Sequence, residues 1–236
     1  MRITRTRTAI AISILAAIVG GSLAPSAIAA DRYVGVSATG TVKVKPDTVR
    51  LNATVALVAS ANKDALAGAS ASAAKLRTAL GGNGIKPSYI KTNTLTIFPE
   101  YNYTADKGST LVGYRASQSF EVVIRNASNA GAVVDAVVAA VGDSLTIDGV
   151  TPYVYDNTKA TQNARVDAVA RAKAKATSYA RLLGVRLGKV IYLEESAAPS
   201  PFPNVMAMAK SDAGATQIDL GQQDVSISIV ARWSIA

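Results

Sequence analysis

Thr158–Leu183 reads TKATQNARVDAVARAKAKATSYARLL and runs into Gly184-Val185-Arg186-Leu187-Gly188-Lys189 and then Val190-Ile191-Tyr192-Leu193. At 100° per residue, Ala168, Val169, Ala172, Ala176, Ala180 and Leu183 fall on one stripe, with Asp167, Arg171, Lys175, Ser178 and Arg181 opposite. The stretch therefore predicts an amphipathic helix. Gly184 stands where a left-handed residue closes a helix, and the run after it predicts a strand. An alanine stripe lets the helix axis approach its neighbour more closely than leucines would, which suits a helix laid flat on a sheet. The basic residues Arg165, Arg171, Lys173, Lys175 and Arg181 spread over most of the circumference. That is the pattern of a solvated face, not of a phosphate site.

Upstream, Val34, Val36 and Ala38 alternate, and Val42 and Val44 continue after Gly40. Lys45-Pro46-Asp47-Thr48 has the residues of a turn, and Val49, Leu51, Ala53, Val55 and Leu57 alternate again. This reading predicts an antiparallel pair. Asn62 stands as a cap for a helix carrying Leu66, Ala69, Ala73, Leu76 and Leu80 at helical spacing, ended by Gly81-Gly82-Asn83-Gly84. Residues 91–104 and 113–126 predict a long hairpin. Ser128 is placed to cap a second helix with Val133, Val134, Val137, Val138 and Val141 inward, and residues 145–155 predict a further strand. Val225, Ile227, Ile229, Ala231, Trp233 and Ile235 predict a last strand, paired in the interior of a sheet, because a bare apolar edge invites aggregation. The fold class is thus α+β: mainly antiparallel strands in strand-helix-strand units, with three helices packed on the sheet.

At the N-terminus, Arg2, Arg5 and Arg7 precede an apolar run over 9–19 and small residues, with Ala27 and Ala29 at A-x-A cleavage spacing. Residues 1–30 are therefore expected to be a secretory signal peptide, and residues 31–236 a single domain. No later stretch is long and apolar enough for a membrane helix. Losing the leader removes three arginines and no acid, leaving 22 basic against 16 acidic side chains, a net charge of +6. This is no nucleic-acid signature by itself. The chain has no Cys and no His, which excludes thiol chemistry, disulfides, a Ser-His-Asp relay and nearly all zinc sites. The expectation is no enzyme, no cofactor and no metal.

Ser60-Ala61-Asn62-Lys63 fits the Ser-x-x-Lys pattern of penicillin-recognising enzymes, but so does Ser72-Ala73-Ala74-Lys75, and neither Ser-Asp-Asn nor Lys-Thr-Gly accompanies them. Phe98, Tyr101 and Tyr103 end one hairpin strand and Tyr114 begins its return. Tyr101, Tyr103 and Tyr114 are the candidate interface residues, able to stack on a ligand or subunit or to pair across the strands. Residues 196–217, with Pro199, Pro201, Pro203, Met206 and Met208, predict a flexible loop.

Four segments carry a family resemblance: Val34–Asp47, Gly113-Tyr114-Arg115-Ala116-Ser117, Ala168–Lys189 with its Leu-Gly-Val-x-Leu-Gly-Lys ending, and Leu220-Gly221-Gln222-Gln223-Asp224-Val225. In this order they resemble the SIMPL-domain family, with Leu220 where that family commonly has Pro. The resemblance implies an exported bacterial protein of the periplasm, cell envelope or extracellular space. It also implies homo-oligomers and relatives linked to oxidative-stress defence, and it carries no catalytic residues. Three functions follow: a self-associating envelope protein; a module binding an anionic envelope polymer or lipid, from the net charge; and a hydrolase using Ser60 and Lys63.

Overall fold

The computed structural model describes residues 32–106, 108–197 and 216–236. The expected signal peptide and nearly all of the expected 196–217 loop lie outside them. The elements are β1 (Tyr33–Val44), β2 (Thr48–Ala59), α1 (Asn62–Gly82), β3 (Ile90–Thr104), β4 (Gly108–Ile124), α2 (Ala130–Val141), β5 (Leu145–Tyr153), α3 (Thr158–Leu182), β6 (Leu187–Ala197) and β7 (Gln223–Ile235). The α+β class holds, but the strands form two sheets. One has the order β3-β4-β2-β5 and the other β1-β7-β6, with every neighbouring pair antiparallel.

The β2-α1-β3-β4-α2-β5 run is a split βαβ arrangement. Its core is bulky. Val49, Leu51 and Val55 of β2, Phe120, Val122 and Ile124 of β4, Leu76 and Leu80 of α1, and Val133 and Val137 of α2 are all buried in one cluster. The other sheet carries α3 and a core of a different grain. Ala164, Ala168, Ala172 and Ala176 pack against Val34, Val36, Ile227, Ile229, Ala231 and Trp233. Gly40 is required by this closeness, because a methyl group there would collide with the Ala164 carbonyl and the Ala168 backbone. Gly184, at φ +69, closes the helix as its position predicts.

Several expectations are corrected. β1 and β2 do not pair: residues 45–47 carry the chain from one sheet to the other, and β1 pairs with β7. Asn62 does not cap α1, since Ala61 occupies the cap with no side-chain bond. Ser128 caps nothing; the Asn126 side chain accepts its N–H and opens a short 3-10 turn ahead of α2. Val138, Val169 and Leu183 point to solvent. On α3 the buried residues are alanines at every fourth position, from Ala160 to Ala180.

Gln223 ties the two sheets together, and Asp47 pins the β1–β2 linker to the four-stranded half. The Asp47 carboxylate accepts the Tyr155 N–H at 2.9 Å and the Thr48 hydroxyl at 2.8 Å, while its carbonyl accepts the Ala127 N–H at 3.1 Å. Gln223 accepts from the Val154 N–H at 3.2 Å and donates to the Pro152 carbonyl at 3.0 Å, so a β7 side chain docks on the end of β5. Ahead of it, Ile218 and Leu220 pack on the four-stranded core and Asp135 of α2 holds Thr216.

Candidate functional site

Past Tyr114, β4 has left β2 behind and pairs with β3 alone, so residues 99–104 and 108–113 form a two-stranded ribbon. Six residues of strand reach about 20 Å. Alternation along β3 places Pro99, Tyr101 and Tyr103 on the face of Ile97, which packs beside α1, and sends Phe98 to the other face. Tyr114 stands opposite Pro99 and packs at the root, against the cluster of Ala65, Ala69 and Ala116. The three candidate tyrosines therefore share one face. Tyr101 is 58% and Tyr103 77% exposed, with exposed Leu111 opposite Tyr101. The tyrosines do not pair with each other, because Tyr103 faces Ser109. Val112 is an extra residue in the ladder between the Glu100–Gly113 and Tyr101–Leu111 pairs, a bulge that bends the ribbon at this point. At the bend's base, Arg115 donates to Glu100 at 2.8 Å across the strands.

The other candidate chemistry does not assemble. Ser60 and Lys63 both lie exposed at the entry to α1, while Ser72 is buried on the sheet side and Lys75 is exposed. Among the described residues no group of three or more His, Cys, Asp or Glu is placed to hold a metal ion. On α3, three of the five basic residues are engaged within the fold. Arg165 forms a two-pronged pair with Glu195 of β6, Arg171 bonds Asp167, and Lys175 donates to the Ser37 carbonyl. Asp167 also accepts the Thr41 N–H, and the Arg171 guanidinium and that amide hold its carboxyl below the usual carboxylate range. Sequence reasoning missed these roles because Thr41 and Ser37 are far away along the chain.

One surface was missed altogether. All of β6 beyond Leu187 whose side chains are described is exposed, including Val190, Ile191, Tyr192 and Leu193, because α3 covers β1 and β7 and touches β6 mainly through Arg165. The available signal was the predicted apolar run itself, four residues with no polar alternation.

This is a two-sheet α+β protein whose exposed features are a tyrosine ribbon and an apolar edge strand. The chain belongs to the SIMPL family, described as "Protein of unknown function (DUF541)", which it matches over residues 34–233. It is 29% identical over 213 residues to the "26 kDa periplasmic immunogenic protein" of Brucella melitensis, covering 86% of this chain and 84% of that protein. The protein of the same name from Brucella abortus strain S19 matches to the same extent. The "Uncharacterized protein YggE" of Edwardsiella ictaluri is 32% identical over 210 residues, 84% of this chain and 85% of that protein. Among the described residues no helix is long and apolar enough to cross a membrane.

Proposed function

We propose that this chain is an exported, non-enzymatic protein of the bacterial cell envelope that works as a self-associating structural component and serves envelope integrity or stress defence. The observation that carries self-association is the tyrosine ribbon. Tyr101, Tyr103 and Leu111 project one apolar face beyond the body of the domain, and exposed aromatic clusters of this kind mark interaction sites. Export is supported by the leader-like residues 1–30, with Ala27 and Ala29 at the cleavage spacing, and by the periplasmic name of the Brucella relatives. A non-enzymatic role accords with a chain that has neither His nor Cys.

The test is light scattering on protein purified from cells expressing the full reading frame, with N-terminal sequencing of the same material. The expected result is an N-terminus at Ala30 or Asp31 and a mass above that of one chain, reduced at least tenfold in apparent affinity by Tyr101→Ser with Tyr103→Ser. A monomer at all micromolar concentrations sinks self-association, and a retained Met1 sinks export with cleavage.

A further inference from the structure

The four sheet edges are treated differently. On β1, α3 closes the edge from the side: Asp167 takes the Thr41 N–H at 3.1 Å and Lys175 donates to the Ser37 carbonyl at 3.3 Å. The β5 edge carries Pro152 and is broken by the bulge between Asn52 and Ala53, where Thr54 holds Asp148. The β3 edge carries Pro99 and Lys91. Such devices stop further strands from adding. On β6, Lys189 and two bulges fall in the first half, but from Tyr192 to Ala197 neither proline nor bulge interrupts the strand and no described residue pairs with its outer edge; Val190 and Leu193 are 54% and 57% exposed.

The strand is also self-complementary. Arg186 precedes it, Lys189 stands near its start and Glu194 near its end, with the apolar residues between them, while Glu195 is already paired with Arg165. Antiparallel apposition of two copies lays the basic end of each beside the acidic end of the other, whereas parallel apposition stacks like charges. Two bulges irregularise the first half, and from Tyr192 to Ala197 the ladder is regular. Tyr192 is held in place by its hydroxyl on Glu194 and by the Arg232 guanidinium 4.9 Å from its ring, so the edge is ordered before any partner arrives.

We propose that β6 pairs antiparallel with β6 of a second copy across a two-fold axis, fusing two three-stranded sheets into one of six strands. This deepens the self-association reading and rests on it, but assigns the closing contact to a surface remote in sequence from the tyrosine ribbon. An isologous contact of this kind closes at two copies, leaving the ribbon free for any larger assembly.

The experiment uses charge reversal in the full-length protein. Lys189→Glu and Glu194→Lys, each alone, should weaken association at least tenfold by light scattering while keeping the native circular dichroism spectrum. An equimolar mixture of the two variants should restore it, because each then presents the charge the other lacks. Hydrogen exchange of 192–196 should slow as protein concentration rises. If the single variants associate like the wild type while Tyr101→Ser with Tyr103→Ser does not, edge pairing is overturned and self-association stands. A mixture no better than its components also overturns it, as does protection, in a monomer, of those β6 amides that do not bond β7, which would mean that the same chain covers its own edge. A wild-type protein that is monomeric throughout removes both proposals.

Discussion

The four-stranded and three-stranded halves use opposite packing strategies. In the first, Phe120, Leu51, Leu76 and Leu80 are essentially inaccessible and two helices stand off the sheet by the width of large side chains. In the second, α3 meets the sheet through methyl groups, and Gly40 gives up even that much. A large-residue core derives its stability from the area each side chain removes from water, about 1.5–3 kcal/mol for a buried Leu or Phe. A core of alanines has little such area per residue and depends on close backbone approach and many dispersion contacts. The first half should therefore be sensitive to truncation, and the second to enlargement.

The largest effect is expected from Phe120→Ala, which leaves a void in the four-stranded core and should cost about 3–5 kcal/mol in urea unfolding. A loss below about 1 kcal/mol would mean that the four-stranded core collapses around the gap and the comparison fails on that side. Next comes Ala168→Leu, which drives a side chain into the sheet beside Gly40 and should cost about 1–3 kcal/mol. Val169→Leu, one position along on an exposed site, should stay within about 0.5 kcal/mol. Equal losses from these neighbours would show that α3 does not sit with its alanines inward.

Acid should act on both halves and more gently. Asp47 is held below the ordinary carboxylate range first by the Tyr155 N–H and then by the Thr48 hydroxyl, Asp135 by the Thr216 hydroxyl and N–H, and Asp167 by Arg171 and the Thr41 N–H. A carboxyl whose folded value is depressed stabilises the fold fully above its unfolded value of about 3.9 and stops doing so as pH falls through the folded value. The urea midpoint should be level between about pH 7 and 5 and fall below about pH 4. Asp47→Asn, which removes the carboxylate that pins the β1–β2 linker to the four-stranded half, should flatten part of that fall; an unchanged slope would remove Asp47 from the account.

Much of the element order was legible because it is written in local periodicity. The α3 helix, its Gly184 stop and the interior place of β7 all follow from spacing within one segment and agree with the structure. The first pairing was not legible. β1 and β2 alternate on either side of a proline turn, and adjacent strands usually pair. Here Pro46 and Asp47 make a crossing between sheets, and the true partner of Thr39 is Ser228, 189 residues away. The stripe on α3 is legible on the helix, but hydropathy widens it to Val169 and Leu183, since a wheel ranks valine and leucine above alanine as core. The gap between helix and sheet reverses that ranking. Of the site, the three tyrosines were legible as aromatic residues on a hairpin, whereas their common face depended on the β3–β4 register.

By itself the sequence determined which segments are helices and strands, that the chain lacks the side chains of thiol and histidine chemistry, and the residues expected to form a leader. These rest on composition and on repeats of two and of about four residues, which act within a few neighbours. The tertiary structure decided that the strands divide into two sheets, that alanine and not valine faces the sheet under α3, and that the edge of β1 is closed while no described residue covers that of β6. These depend on distances between groups far apart in the chain, and an exposed edge exists only once the other strands have chosen their partners.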